Sequence, residues 1–166
     1  GVFIYNNYLQ EPINSLLKRE AFNNTEEKVV KSRKVDGALF VEFIDVGQAD
    51  SILIYNKEHY MLIDGGNNED GMKLVNYFNS LGITKFDYVI GTHPHEDHIG
   101  GLDDIINNFE VGTFYMPNVI TTTKTFEDVI TALENKQIAF STPNIGSTFN
   151  LGSASFKTLY VGEDEE

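Results

Sequence analysis

The order of apolar and polar positions changes character at residue 38. Before it, residues 11–37, "EPINSLLKREAFNNTEEKVVKSRKVDG", mix Lys, Glu, Asn and Ser with few large apolar side chains and close on Asp36-Gly37, so residues 1–37 read as a leader and linker with at most a turn or two of helix. After it come "ALFVEFID", "SILIY" and "HYMLID", apolar, β-branched and aromatic runs of strand length. Asn56-Lys57-Glu58 breaks the last two runs and predicts a hairpin. "GGNNEDG", residues 65–71, is a loop by composition. Met72, Val75, Phe78 and Leu81 then recur at helical spacing, with Gly82 as the stop. "FDYVIGT" is a buried strand, "GLDDIINNF" a helix with Asp103 and Asp104 in its first turn, and "GTFYMP" a strand closed by Pro117. Thr125 with Asp128 three positions on predicts a capped helix whose buried stripe is Phe126, Val129, Ile130 and Leu133. Strand-like "IAF" and "SASFKTLYV" follow, and "VGEDEE" reads either as a solvated tail or as the point where a longer protein continues. Strands first, then strands alternating with helices, give an α/β arrangement around a sheet over residues 38–166.

Composition narrows the function classes. A chain of 166 residues that is 41% apolar supports one core, and no run of about 18 apolar residues crosses a membrane. "GVFIYNNYLQ" is too short and polar for a complete signal peptide, though it fits the trailing edge of an apolar segment. Without cysteine there are no disulfides or thiolate sites, and any metal rests on histidine and carboxylate. The charge is 12 − 25 = −13; residues 1–37 hold six basic and five acidic side chains, which leaves 6 − 20 = −14 for residues 38–166. A surface of that sign repels phosphate backbones and disfavours binding through a basic stripe, except where bound divalent cations invert the local field; it also serves plain solubility.

The exception matters because of "THPHEDHIGG", residues 92–101, which places three of the four histidines and two carboxylates between His93 and His98. In an extended loop His93 and His95, two apart, face the same side, and Pro94 restrains the backbone between them. Asp97 and His98 would face a second cation nearby, and Gly100 and Gly101 let the following helix pack closely beneath. Crowded imidazoles repel and desolvate one another without a cation, so the spacing H-x-H-x-D-H points to metal ligation. His59, isolated in the hairpin, reads as an ordinary surface histidine. Asp64, at the end of "HYMLID", is a candidate to receive the free N–H of a ligating histidine, or alternatively a turn or cap residue.

"THPHEDHIGG", with "LIDGGN" upstream, resembles the H-x-H-x-D-H motif of the metallo-β-lactamase-fold hydrolases. "FIDVGQADSILI" resembles the "DVGQGD" signature of ComEC-type competence proteins, with Ala49 in place of the usual glycine. The resemblance implies an αββα sandwich, of which this chain holds mainly the N-terminal half, and a dinuclear hydrolase using zinc or manganese. His93 and His95 would bind one ion and Asp97 and His98 the other, with Asp97 also orienting, or taking a proton from, the attacking water. It places Asp45, Gln48 and Asp50 at the active-site edge, where they face substrate or cap a turn; Asn67 is a candidate substrate contact beside a plain loop role.

Each ion needs about four donors, and no histidine follows His98. The remaining ligands are therefore expected beyond Glu166, with this chain an N-terminal piece that binds zinc or manganese weakly or not at all, is inactive alone, and dimerises through exposed sheet edges. The resemblance makes single-stranded DNA or another phosphodiester the expected substrate and, with the linker-like leader, fits a membrane-tethered or extracytoplasmic setting, a cytoplasmic one staying open. Hydrolysis of another ester, thioester or lactone remains an alternative, as does a binding module that has lost catalysis.

Overall fold

The computed structural model describes residues 38–119 and 121–161, so the leader read over residues 1–37 and the acidic stretch 162–166 lie outside the described residues. Six strands form one sheet in sequence order: β1 (Phe40–Phe43), β2 (Ile52–Asn56), β3 (His59–Ile63), β4 (Lys85–Ile90), β5 (Glu110–Tyr115) and β6 (Phe140–Ser141). β1, β2 and β3 pair antiparallel, with Val41 opposite Ile54 and Leu53 opposite Leu62; β3 to β6 are parallel. Parallel neighbours need crossovers, which α1 (Gly71–Ser80), α2 and α3 (Glu96–Ile99, Leu102–Asn108) and α4 (Lys124–Asn135) supply. Because the strand order advances in one direction, crossovers of one hand bring their helices to one face of the sheet.

That face carries the main core. Leu53, Leu62, Phe86, Val89 and Phe114 of the strands meet Leu74, Phe78, Leu102, Ile105, Val129 and Leu133 of the helices, all at 2% exposure or less. Phe78, Phe86 and Phe109 pack edge to face with centroids 5.2–6.2 Å apart. The opposite face holds a thinner cluster in which Ile54, Met61 and Leu151 are buried. Its cover is a hairpin of β7 (Thr148–Leu151) and β8 (Ala154–Lys157), docked by Phe149 and Phe156 and pinned by Asn56. The Asn56 amide donates to the Ala38 carbonyl at 2.8 Å, and its Oδ1 accepts from Ser153 N at 3.0 Å. Between hairpin and sheet runs an apolar cleft of about 440 Å³ that reaches Gly91 and Thr92. Leu39 just before edge strand β1, and Val41 and Phe43 alternating along it, remain exposed, Phe43 at 79%.

The α/β class and the order of elements along the chain agree with the sequence pattern, and helices cover one face among the described residues while the other carries a hairpin, as half of a sandwich implies. Several details differ. Asn56 is not part of the polar break but the buried last residue of β2, because its amide finds partners far along the chain. Thr123, not Thr125, caps α4, accepting from Phe126 N at 3.3 Å; Thr125 is buried within the helix and contacts Asn68. Met72 faces solvent at 49%, Leu74 taking the core position expected of it. "SASFKTLYV" is a strand only over Ala154–Lys157, and β7 was not legible in the apolar pattern. No helix among the described residues is long and apolar enough to cross a membrane.

Candidate metal centre

Three loops meet where β3 and β4 end and β2 begins, a usual place for ligands beside parallel strands. The first, residues 44–51, follows β1; the second, 64–70, follows β3; the third, 91–98, follows β4. Main-chain hydrogen bonds join them: Asp50 N donates to Asp97 O (3.0 Å), Gly66 N to Asp50 O (2.9 Å), and Gly65 N to His98 O (2.6 Å). Close packing requires glycine here. A Cβ on Gly101 would lie 2.4 Å from Gly65 O and 2.7 Å from Gly71 Cα, and one on Gly100 would lie 2.3 Å from Asn68 N, so rigid backbone blocks both. Ile99 and Leu102, fully buried, anchor the third loop in the helix-side core.

The third loop leaves β4 extended, and α2 begins after His95, whose backbone is extended (φ −101°, ψ 156°). The structure brings the four motif residues together on that loop. The rings of His93 and His95 stand edge to face with centroids 4.0 Å apart, and His93 and His98 are 6.0 Å apart. His93, His95 and Asp97 are exposed, whereas Pro94 between the first two is buried and fixes their carrier. His98, half-buried, has its two ring nitrogens in different surroundings. Nδ1 is 3.0 Å from Asp64 Oδ2, and Nε2 is 3.7 Å from Asp97 Oδ2.

Asp64, 3% exposed, is held on both oxygens: Thr92 N donates to Oδ1 (2.8 Å) and Thr92 Oγ1 to Oδ2 (2.6 Å). Its backbone has φ 60°, a left-handed conformation costly for a residue with a Cβ, and strain of this kind concentrates at functional sites. Burial raises the Asp64 carboxyl above its ordinary range, and the Thr92 and His98 hydrogen bonds only partly offset that. Burial works against the charged form of His98, yet the hydrogen bond to Asp64 and the charges of Asp64, Asp97 and Asp50 together raise its pKa. A carboxylate accepts only, so the proton of neutral His98 sits on Nδ1 and the Nε2 lone pair is left free.

The remaining candidates divide by role. Asp50, exposed at 65%, has its carboxylate 3.6 Å from His98 Nδ1. Asp45 is exposed and its Oδ1 accepts from Gly47 N (3.2 Å), a turn role; Gln48 is exposed beside it. Asn67 is half-buried and its N donates to Asp70 Oδ2 (3.1 Å), which ties it to the 3₁₀ turn Asn68–Asp70. His59 stands apart at the far end of β3, its Nδ1 2.9 Å from Asp87 Oδ2. The sequence pattern passed over two residues. Thr92 locks Asp64, and its only signal was its place between a strand end and His93. Asp70, buried, binds both Asn67 N and the Lys73 ammonium (2.8 Å); the i, i+3 spacing to Lys73 was the available clue.

The donor types suit a divalent cation: two adjacent imidazoles, then a carboxylate and an imidazole whose facing atoms lie within the roughly 4 Å that two donors to one ion can span. Among the described residues no three His, Asp or Glu side chains are arranged to hold one ion.

The fold has parallels among solved structures. MEM-A1, a subclass B3 metallo-beta-lactamase from a soil metagenome library, aligns with TM-score 0.52 and 16% identity over 76% of this chain and 50% of its own. The metallo-beta-lactamase SMB-1, bound to 2-mercaptoethanesulfonate, aligns with TM-score 0.53 and 15% identity over 75% and 54%. A metallo-beta-lactamase from Cronobacter sakazakii with a HARLDQ motif aligns with TM-score 0.50 and 14% identity over 76% and 54%. The chain spans about half the length of these structures, and at such identities the likeness is one of fold. No curated protein matches the sequence. The model of the metallo-beta-lactamase superfamily, whose members are mostly metal-dependent hydrolases, matches residues 44–160, a span that contains all three loops, and the chain belongs to that superfamily.

Proposed function

We propose that this chain carries the metal loop of a metal-dependent hydrolase acting on phosphodiesters, in the manner of the ComEC-type proteins that its "DVGQAD" stretch resembles. The observation that carries the hydrolase reading is His98: Asp64 holds Nδ1, Thr92 holds Asp64, and Nε2 is left beside Asp97 with His93 and His95 adjacent. A surface histidine needs no buried acid behind it. His93 and His95 would hold one divalent cation, and Asp97 and His98 the other, zinc suiting the imidazoles and manganese the carboxylate. When bound, the cations lower the pKa of water and neutralise charge on the attacked group. Asp97, exposed beside Nε2, would orient the attacking water or accept a proton from it; Asp64 and Thr92 fix the His98 ring. The acidic surface, at −14 over residues 38–166, leaves bound cations as the local attraction for a phosphodiester such as single-stranded DNA. The ComEC likeness also supports a membrane tether.

A second reading rests on the cleft. Its walls, among them Met61, Ile63, Ile90, Phe149 and Phe156, are apolar and run up to Thr92, which favours an uncharged ester, thioester or lactone. The test loads the natural polypeptide that carries this chain with Zn²⁺ or Mn²⁺ alone and offers single-stranded DNA, bis-p-nitrophenyl phosphate and a lactone. Turnover of the two phosphodiesters, lost by at least about a thousandfold in His93→Ala and His98→Ala, is expected. Lactone turnover without phosphodiester turnover establishes the second reading; absence of both metal uptake and turnover leaves a binding module.

A further inference from the structure

The "DVGQAD" stretch reaches the site through its last residue, Asp50. We infer that Asp50 is a positioning residue for the Asp97–His98 pair, acting through His98; this rests on the metal-dependent reading above.

Asp50 is stitched to both loops it serves. Its N–H donates to Asp97 O at 3.0 Å and its carbonyl accepts from Gly66 N at 2.9 Å, so its Cα is set by the metal loop and by the loop that carries Asp64. From that fixed point the carboxylate lies 3.6 Å from His98 Nδ1, the same nitrogen that Asp64 approaches to 3.0 Å. The other nitrogen, Nε2, is the one that faces Asp97.

His98 is therefore backed by two acids of different character. Asp64, with its side chain 5% exposed, fixes ring orientation and tautomer; Asp50, at 65%, contributes charge from the solvent side and no close hydrogen bond. Negative charge behind Nδ1 makes Nε2 a better donor to a cation, and the outer partner of a ligating histidine is typically worth 10- to 100-fold in metal affinity. Solvent screening and the longer distance put Asp50 at the low end, about tenfold.

The experiment is a calorimetric titration of Zn²⁺ alone and Mn²⁺ alone into the natural polypeptide that carries this chain, as wild type, Asp50→Asn, Asp50→Glu, His98→Ala and Glu58→Gln, with metal-free urea unfolding of each. Glu58, exposed in the β2–β3 turn, controls for net charge. Asp50→Asn keeps the main-chain bonds and the side-chain size. It is expected to weaken one of two binding steps about tenfold, leave the other within about twofold, and leave the metal-free unfolding midpoint in place; Asp50→Glu restores most of the loss. Wild-type binding by Asp50→Asn while His98→Ala loses a step overturns the role of Asp50 and leaves the metal reading standing. An equal loss in Glu58→Gln, or a metal-free destabilisation by Asp50→Asn that accounts for the lost affinity, also overturns it. Absence of any uptake by the wild type overturns both.

Discussion

The two faces of the six-stranded sheet are built from the same strands and have unequal cover. Toward the helices, alternate strand residues reach a continuous core centred on Phe78, Phe86 and Phe109; toward the hairpin, the intervening Ile54 and Met61 are buried with Leu151 of β7, and the layer then opens into a cleft. The candidate metal loop, residues 91–98, sits on the seam and takes its support from one side, since Ile99 and Leu102 insert among the helices while Gly91 and Thr92 border the cleft. Rigidity and access thus come to the loop from opposite faces.

The comparison can be broken at four places. Phe86→Ala removes the centre of the aromatic trio and is expected to cost about 3–5 kcal/mol in urea unfolding, against no more than about half of that for half-buried Phe149→Ala on the other face. Equal losses would mean that the two faces are equally packed. Next is Asn56→Ala, which removes bonds to Ala38 and Ser153 for about 1–2 kcal/mol. Amide exchange should quicken in Phe149 and Phe156 and stay slow in Phe86 and Val89; quickening in all four would make the hairpin part of the main core.

The helical face has a weakness of its own in Asp103, whose carboxyl is raised above its usual range by burial and then by the charges of Asp104 and Asp128. Its unfolded counterpart ionises near 3.8, so the folded state binds the extra proton, and stability falls as pH rises from there through the raised folded value. Asp103→Asn should therefore stabilise at pH 7, by less than about 0.5 kcal/mol, and not at pH 3, which paired denaturation curves will show. Smallest of all is Phe43→Ser on the open face, expected within about 0.5 kcal/mol of wild type. A loss above about 1 kcal/mol would show that β1 is covered in solution.

What could be read beforehand follows the range of the interactions involved. The strands β1 to β5 and helices α1 and α4 announced themselves because burial on one or both faces imposes a local periodicity. The cluster at His93–His98 did so because its donors are neighbours along the chain. Asn56 was misread because a polar residue looks like a break until its partners, 18 and 97 positions away, are in place. β7, four residues with one fully buried side chain, carries too weak an alternation to stand out. Asp64 was legible as a strand-end acid, but the Thr92 contacts that hold it come from the loop after the neighbouring parallel strand, 28 positions on. Thr125 lost the cap to Thr123 because the two share the same chemistry and only the backbone's point of entry decides between them.

The left-handed turn at residue 64 also narrows the alphabet available there. Glycine, asparagine and aspartate are the residues that enter such a turn readily. Glycine brings no oxygen to Thr92 or His98, and asparagine would point an amide donor at one of them, where three donors already converge. Geometry and chemistry together leave position 64 a vocabulary of a single word, so no replacement there is conservative, however mild it looks on a substitution table.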